Sequence, residues 1–372
     1  FICNGANISM VEHCSKNKKI LVDCRMINAS GIGVYTREII KELKKYRYLQ
    51  IELLLQEEQQ LPIDVEDIGF KIHYINFSRY SIKNIGGMKH LLNGFDVYFM
   101  PSLSIPPLLK KGCLIITTVH DLCPVALRKL FGSKKAVAYW ALLLIQLVCS
   151  NKIISISRFT AKEINKYYFG LFKSKLYVIG NGIRNIFNLE LNSETENSHE
   201  EYGICVGNIK PHKNVVPLID YLKTNIINKK IYFIGEINGF STKINKSLLN
   251  DLPENIVFTG RVSDQELHNY YRNASFFIFP SLYEGFGLPL LEAMNYRLPI
   301  FASNIDVFKE VAGETINYFD PYTFDALADR INKLKKNKKS IESYARVLQL
   351  YSWDNNVASL LRIMNEEDIA RK

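Results

Sequence analysis

The chain is predicted to fold as two doubly wound α/β domains, each a parallel sheet of the Rossmann-like kind, and three observations carry the prediction. Short apolar runs rich in Val, Ile, Phe and Tyr recur throughout and read as strands buried on both faces. Helical patterns lie between them, and strand–helix alternation implies right-handed βαβ units. The length, 372 residues, exceeds one ordinary core and suits two domains.

The first series of strands is read at 20–26, 51–55, 70–77, 97–100, 114–119, 153–156 and 176–179, with helices such as 34–43 and 160–168 between. After Asn181-Gly182 the pattern breaks, and 192–201 (NSETENSHEE) reads as a linker or exposed loop. A second series follows at 203–206, 231–234, 256–259, 275–279 and 299–302, with helices at 264–271 and 290–294. The expected division is a flexible extension over 1–18, a first domain over 19–183 and a second over 184–351. A C-terminal helix over 352–372 follows, with Ser352 as its N-cap and the first domain as a surface on which it could pack. The polar start lacks a signal-peptide core and contains Met10 as a candidate translation start.

Hydrophobic residues at 47% and charged residues at 23% describe a soluble globular chain and exclude extensive disorder. A formal charge of +10 calls for something anionic: nucleotide phosphates, an acidic membrane surface or nucleic acid. Nucleic acid is disfavoured, because the excess reads as dispersed and no recognition motif is present. Seven scattered cysteines without CxxC or metal-ligand spacing fit a reducing cytoplasm and offer no metal site. The longest apolar run, 136–149, includes Gln146 and is shorter than the roughly 20 residues that span a bilayer, so it reads as a buried helix. Just before it, Arg128, Lys129, Lys134 and Lys135 form either a solvated face or a docking patch for anionic lipid.

In open α/β sheets ligands sit beyond the carboxyl ends of strands, and two such domains facing each other would place their sites in the cleft between. The most informative segment, 279–294, leads from a strand through Glu284-Gly-Phe-Gly-Leu-Pro289 into a helix. Gly285 and Gly287 allow close backbone approach, Pro289 suits a first helical turn, and the helix N-terminus favours a phosphate. Glu284 in the loop and Glu292 in the second helical turn are acceptors suited to sugar and ribose hydroxyls respectively. Two isolated glutamates would be a turn residue and a solvated helix residue; the accompanying loop, glycines and proline argue against coincidence.

This segment resembles the E-x7-E motif, written EGFGLPxLEAM, of the family-4 retaining glycosyltransferases, whose fold is GT-B. The resemblance implies that Glu284 contacts the donor sugar and Glu292 the nucleotide ribose, while the backbone of Gly285, Phe286, Gly287 and Leu288 approaches sugar and phosphate. It continues through 302–305, 310–313 and 319–321 over most of the second domain. In Val206-Gly-Asn-Ile-Lys-Pro-His-Lys-Asn214 the family carries an arginine and a lysine that neutralise the donor diphosphate. Lys213 matches the lysine, and Asn208 stands where the arginine is expected. Gly31 and Gly33 resemble the family's first glycine loop, which faces diphosphate and acceptor. A dinucleotide fingerprint would need glycine at position 36, where Thr36 stands, which argues against a nicotinamide-dependent dehydrogenase. His120, at a strand's carboxyl end in Val119-His-Asp121, resembles the family's VHD element, in which histidine touches the donor sugar and supports catalysis. Arg261, in Gly260-Arg-Val262, falls on the side expected to meet the base. Ser157 reads as a helix N-cap.

The resemblance implies a metal-independent, same-face displacement at a hexose donated by GDP or UDP. It implies no cofactor beyond the nucleotide diphosphate sugar as co-substrate. Lys213 and helix-terminus amides would stabilise the leaving group. It implies a glycan or polyprenyl-linked glycan acceptor of a surface polysaccharide such as O antigen, and work in the cytoplasm near the inner membrane face. A non-catalytic nucleotide-sugar-binding or scaffold relative is the alternative, and Asn208 speaks for it.

Overall fold

The computed structural model describes residues 17–108, 112–184, 201–236, 252–334 and 340–370. The extension read over 1–18 lies outside them except for its last two residues, as does the polar stretch 192–201 except for Glu201. The chain divides into two compact units: one runs to Gly182 and takes up the chain again from Tyr351, and the other is Ile183–Leu350.

In the first unit seven strands pair in the order β3-β2-β1-β4-β5-β6-β7: β1 Lys19–Asp23, β2 Gln50–Gln56, β3 Lys71–Ile75, β4 Val97–Met100, β5 Leu114–Val119, β6 Lys152–Ser155 and β7 Leu176–Val178. Every pairing is parallel. Central strands are mainly apolar, as in a parallel sheet covered on both faces, and β4, Val-Tyr-Phe-Met, is buried end to end. Strand order reverses between β1 and β4, the place where open α/β sheets bind ligands. In the second unit β8 Tyr202–Val206, β9 Lys230–Ile234, β10 Ile256–Gly260, β11 Phe276–Phe279, β12 Ile300–Ser303 and β13 Asn317–Phe319 form a parallel sheet in the order β10-β9-β8-β11-β12-β13. Its reversal lies between β8 and β11. The three-residue strand β13 carries too little apolar sequence to be read in advance.

Two expectations are corrected. The run 136–149 is not a buried helix: within the helix Ser133–Cys149 only Ala136, Leu143, Gln146 and Leu147 are buried. Gln146 is among them because its amide donates to the Ser102 carbonyl at 3.0 Å and accepts from the Ser104 amide at 3.2 Å. Gly31 and Gly33 are not in a loop but in the first turn of the helix Gly31–Lys44.

Ser157 caps the helix Arg158–Tyr167, its hydroxyl accepting from the Thr160 amide at 2.9 Å. The last helix, Trp353–Ala370, packs on the helix Gly31–Lys44. Val357, Leu360, Leu361 and Met364 are buried there, and Lys18 Nζ donates to the Met364 carbonyl at 2.8 Å.

Candidate active site

The loops after β8 and β11 leave the second sheet side by side at its reversal, and a set of close backbone contacts fixes their shapes. Gly207 and Gly235 hold φ of +142° and +150°, and a side chain on Gly235 would fall on the Gly207 carbonyl. Asn208 Oδ1 accepts from the Glu236 amide at 3.2 Å, so the side chain standing at the expected arginine position anchors the neighbouring loop. After the turn Pro211–Lys213, Asn214 adopts the left-handed conformation and donates Nδ2 to the Pro321 carbonyl at 2.6 Å. The Leu282 amide donates to the His212 carbonyl at 2.8 Å, joining the two loops directly.

Across that join Lys213 Nζ donates to Glu284 Oε1 at 2.6 Å, and Ser281 Oγ donates to the same oxygen at 2.7 Å. The ammonium also lies 5.3 Å from the centroid of the Phe279 ring. Burial pushes the Glu284 carboxyl up, but the charges of Lys213 and His212 and the hydrogen bonds from Lys213 and Ser281 outweigh it, leaving its pKa below the usual value. The pair remains partly accessible, at 18% and 14% side-chain exposure. A charged donor and a charged acceptor are therefore held together where a ligand can still reach them.

Glu292 belongs to a different network. It lies on the helix Leu288–Asn295, which begins after Gly287 at φ +107° with Pro289 in its first turn. Arg184 donates Nη2 and Nε to Glu292 Oε1 at 2.9 and 3.2 Å, and Tyr271 Oη donates to Oε2 at 2.9 Å. Arg184 also reaches Asp264 Oδ1 at 3.1 Å. Burial works against the guanidinium, yet the Glu292 and Asp264 charges raise its pKa above the ordinary value. Sequence reasoning missed Arg184, whose partner is 108 positions away and which follows Gly182-Ile183 in no recognisable spacing. The structure thus brings Lys213 together with Glu284 but joins Glu292 to Arg184 instead. Phe286 is buried, so its side chain is core and only its backbone can meet a ligand. Leu288 opens the helix, and Gly285 is buried in the loop. Arg261 is largely exposed, 3.7 Å from Glu236.

His120, Gly31 and Gly33 belong to the first unit. His120 follows β5, and its Nε2 lies 2.7 Å from the Pro101 carbonyl. A carbonyl can only accept, so Nε2 carries the proton and Nδ1 a lone pair. The Tyr35 ring meets the imidazole edge-on at 4.9 Å, and Tyr35 in turn meets Trp353 at 5.7 Å. Burial lowers the His120 pKa to about 4 against the opposing pull of the Pro101 carbonyl. The folded pKa lies below the unfolded one, so the unfolded chain binds the proton first and stability falls as pH drops from about 6.5 towards 4. His120→Gln is expected to lose roughly 1–2 kcal/mol less stability than wild type between pH 7 and pH 5 in denaturant titrations, and parallel curves would show that the imidazole contributes nothing to the acid limb.

The two glycines of the first turn differ in what they face. A side chain on Gly33 would strike the Ile27 carbonyl, whereas nothing lies within 4 Å of one on Gly31. Gly33→Ala should therefore cost about 1–3 kcal/mol in thermal unfolding. Gly31→Ala should leave stability unchanged or slightly higher, since alanine favours the helix, yet weaken any ligand that approaches the bare backbone. Equal melting temperatures for the two variants would remove the distinction. Among the described residues no group of His, Cys, Asp and Glu is arranged to hold a metal ion.

Two family models match, one described as Glycosyltransferase Family 4 over residues 29–184 and one as Glycosyl transferases group 1 over residues 187–347. The O-antigen biosynthesis glycosyltransferase WclY of Escherichia coli is 25% identical over 323 residues, covering 83% of this chain and 86% of that protein. The O-antigen chain mannosyltransferase B of Escherichia coli is 24% identical over 364 residues, covering 88% and 93%. Among solved structures, HepE of Anabaena in complex with UDP-glucose superposes with a TM-score of 0.72 at 15% identity, covering 93% of this chain and 99% of that one, a likeness of fold. With one model over the first sheet and the other over the second, the chain belongs to the group 1, family 4 glycosyltransferases and has the two Rossmann-like sheets of the GT-B fold.

Proposed function

We propose that the protein transfers a hexose from GDP- or UDP-sugar, with retention at the anomeric carbon and without a metal, to a lipid-linked glycan of the O-antigen type. The names of the relatives described above support the O-antigen setting, and one of the two is a mannosyltransferase, which favours GDP-mannose among donors. HepE, crystallised with UDP-glucose, keeps UDP in consideration. The observation that carries the reading is the accessible Lys213–Glu284 pair on the joined loops of β8 and β11.

In this reading the donor diphosphate displaces Glu284 from the Lys213 ammonium, which then stabilises charge on the departing nucleotide. Glu284 is freed to accept hydrogen bonds from sugar hydroxyls. A donor phosphate oxygen takes the acceptor's proton. Glu292 would accept from the ribose with whatever capacity Arg184 and Tyr271 leave it, and Arg261 would lie by the base. A lipid-linked acceptor would bring the chain to the cytoplasmic face of a membrane.

Thermal-shift screening against UDP, GDP, ADP, NAD and common nucleotide sugars tests the reading, since a ligand of the native state raises apparent stability. Stabilisation by one nucleoside diphosphate supports it and identifies the base. No response to any nucleotide would overturn the donor site and favour a scaffold role.

A further inference from the structure

Charge on this chain is concentrated rather than dispersed. Residues 122–178 hold ten Lys and Arg side chains and one acid, Glu163, so nine of the ten net positive charges fall there. Glu163 is itself taken up by Lys166 at 3.4 Å.

The same stretch carries an apolar face turned outward. On the helix Ser133–Cys149, Val137, Ala141, Ile145 and Val148 share one side; Val137 is 65% and Val148 61% exposed. Lys134 and Lys135 stand exposed at the start of this stripe. At its far end Lys175 donates to the carbonyls of Leu147 and Ser150 at 2.6 Å each. Beyond the helix Arg158–Tyr167, Phe169 is 84% exposed and held at φ +54°, a conformation that a bulky residue seldom adopts, and Leu171 is 70% exposed. That turn is bound to the stripe's helix: Trp140 Nε1 donates to the Tyr167 carbonyl at 3.1 Å, Tyr168 Oη donates to the Trp140 carbonyl at 2.9 Å, and the Trp140 and Tyr168 rings stack. Between Val137, Trp140 and Tyr167 a groove of about 470 Å³ opens, with Arg128 in its wall.

We propose that this face, the outer side of the helix Ser133–Cys149 with Phe169 and Leu171, docks on an anionic lipid bilayer. The inference rests on the reading above for its purpose, a lipid-linked acceptor, and on the surface for its physics. An aliphatic stripe rimmed by cations matches the boundary between acyl chains and acidic headgroups. Each cation near such a surface contributes about 1 kcal/mol. Nucleic acid would instead call for stacking aromatics among the cations, and here the centre of the face is Val, Ala and Ile.

Flotation of the full chain with phosphatidylcholine vesicles, with and without about 30% phosphatidylglycerol, tests the proposal. Binding to the anionic vesicles alone is expected, weakening about tenfold between low and moderate salt. Lys134→Glu with Lys135→Glu, and separately Val137→Asp with Ile145→Asp, should each reduce binding at least about tenfold while melting as wild type, because all four side chains are exposed. Failure of the wild type to float, or floating of the Val137→Asp/Ile145→Asp variant as well as wild type, would overturn it. So would a dimer in sedimentation that this variant abolishes, or binding of a single-stranded oligonucleotide in place of vesicles. Nucleotide-induced stabilisation should be equal in wild type and both variants. Its absence from the wild type would sink the donor reading while leaving the vesicle result intact.

Discussion

Lys213→Ala is expected to lower sugar transfer by about a thousandfold with the fold intact, the largest effect on activity that any single side chain here should produce. Two losses combine. The ammonium that would face developing charge on the departing nucleotide is removed. Glu284 is left buried with only Ser281 among its hydrogen-bond donors on that oxygen, so burial acts unopposed by the lysine and pushes the carboxyl pKa up. Residual activity should therefore become more sensitive to pH than in wild type. Lys213→Arg should recover part of the rate, because it restores charge but not the compact geometry of the ammonium. Turnover of a nucleotide sugar at saturating donor is the measurement, and a rate within about threefold of wild type for Lys213→Ala would reduce the pair to a structural ion pair.

The second large effect is on stability. Glu292→Ala removes the carboxylate that takes two hydrogen bonds from an arginine only 7% exposed, and breaking a buried ion pair costs about 3–5 kcal/mol. Asp264, 62% exposed, remains as a more solvated partner of the guanidinium, and Tyr271 Oη loses its bond to Glu292 Oε2. The melting temperature should fall by about 10 °C. Arg184→Met combined with Glu292→Leu should recover most of that loss, since replacing both members removes the buried charge along with its counter-charge, and the cycle should return a coupling of at least about 1 kcal/mol. If the single and double variants melt alike, the network is not what holds Arg184. Glu292→Gln keeps an acceptor for Tyr271 and isolates recognition: it should fold better than the alanine variant while responding less to the favoured nucleoside diphosphate.

How much of this could be read from the chain depends on how local each cause is. Parallel strands such as β4 and β11 are apolar on both faces, so a short hydrophobic run identifies them without knowledge of their neighbours. Glu284, Gly287 and Pro289 likewise lie within one strand–loop–helix unit whose spacing is visible in sequence. The join of Leu282 to His212 and the pairing of Lys213 with Glu284, 71 positions apart, arise where two distant loops meet, and only the resemblance to a family anticipated the lysine. Arg184 had no such help. The helix Ser133–Cys149 was misread because its composition is apolar on nearly all sides, and composition does not say which side meets the sheet. Gly33 could be counted as a glycine near a ligand loop, but its closeness to the Ile27 carbonyl appears only in three dimensions.

The chain passes from the first unit to the second at Gly182 and returns at Tyr351, and its last helix completes the first unit by covering the helix Gly31–Lys44. During synthesis, therefore, the unit that begins first cannot finish first. The ribosome must deliver residues 353–364 before Trp353 can reach Tyr35 and before Val357, Leu360 and Met364 can cover their apolar neighbours. The second unit, contiguous in the chain, is free to fold while the first still waits with part of its core open. A chain truncated after residue 350 and released from the ribosome should accordingly hold a protease-resistant second unit beside a susceptible first one.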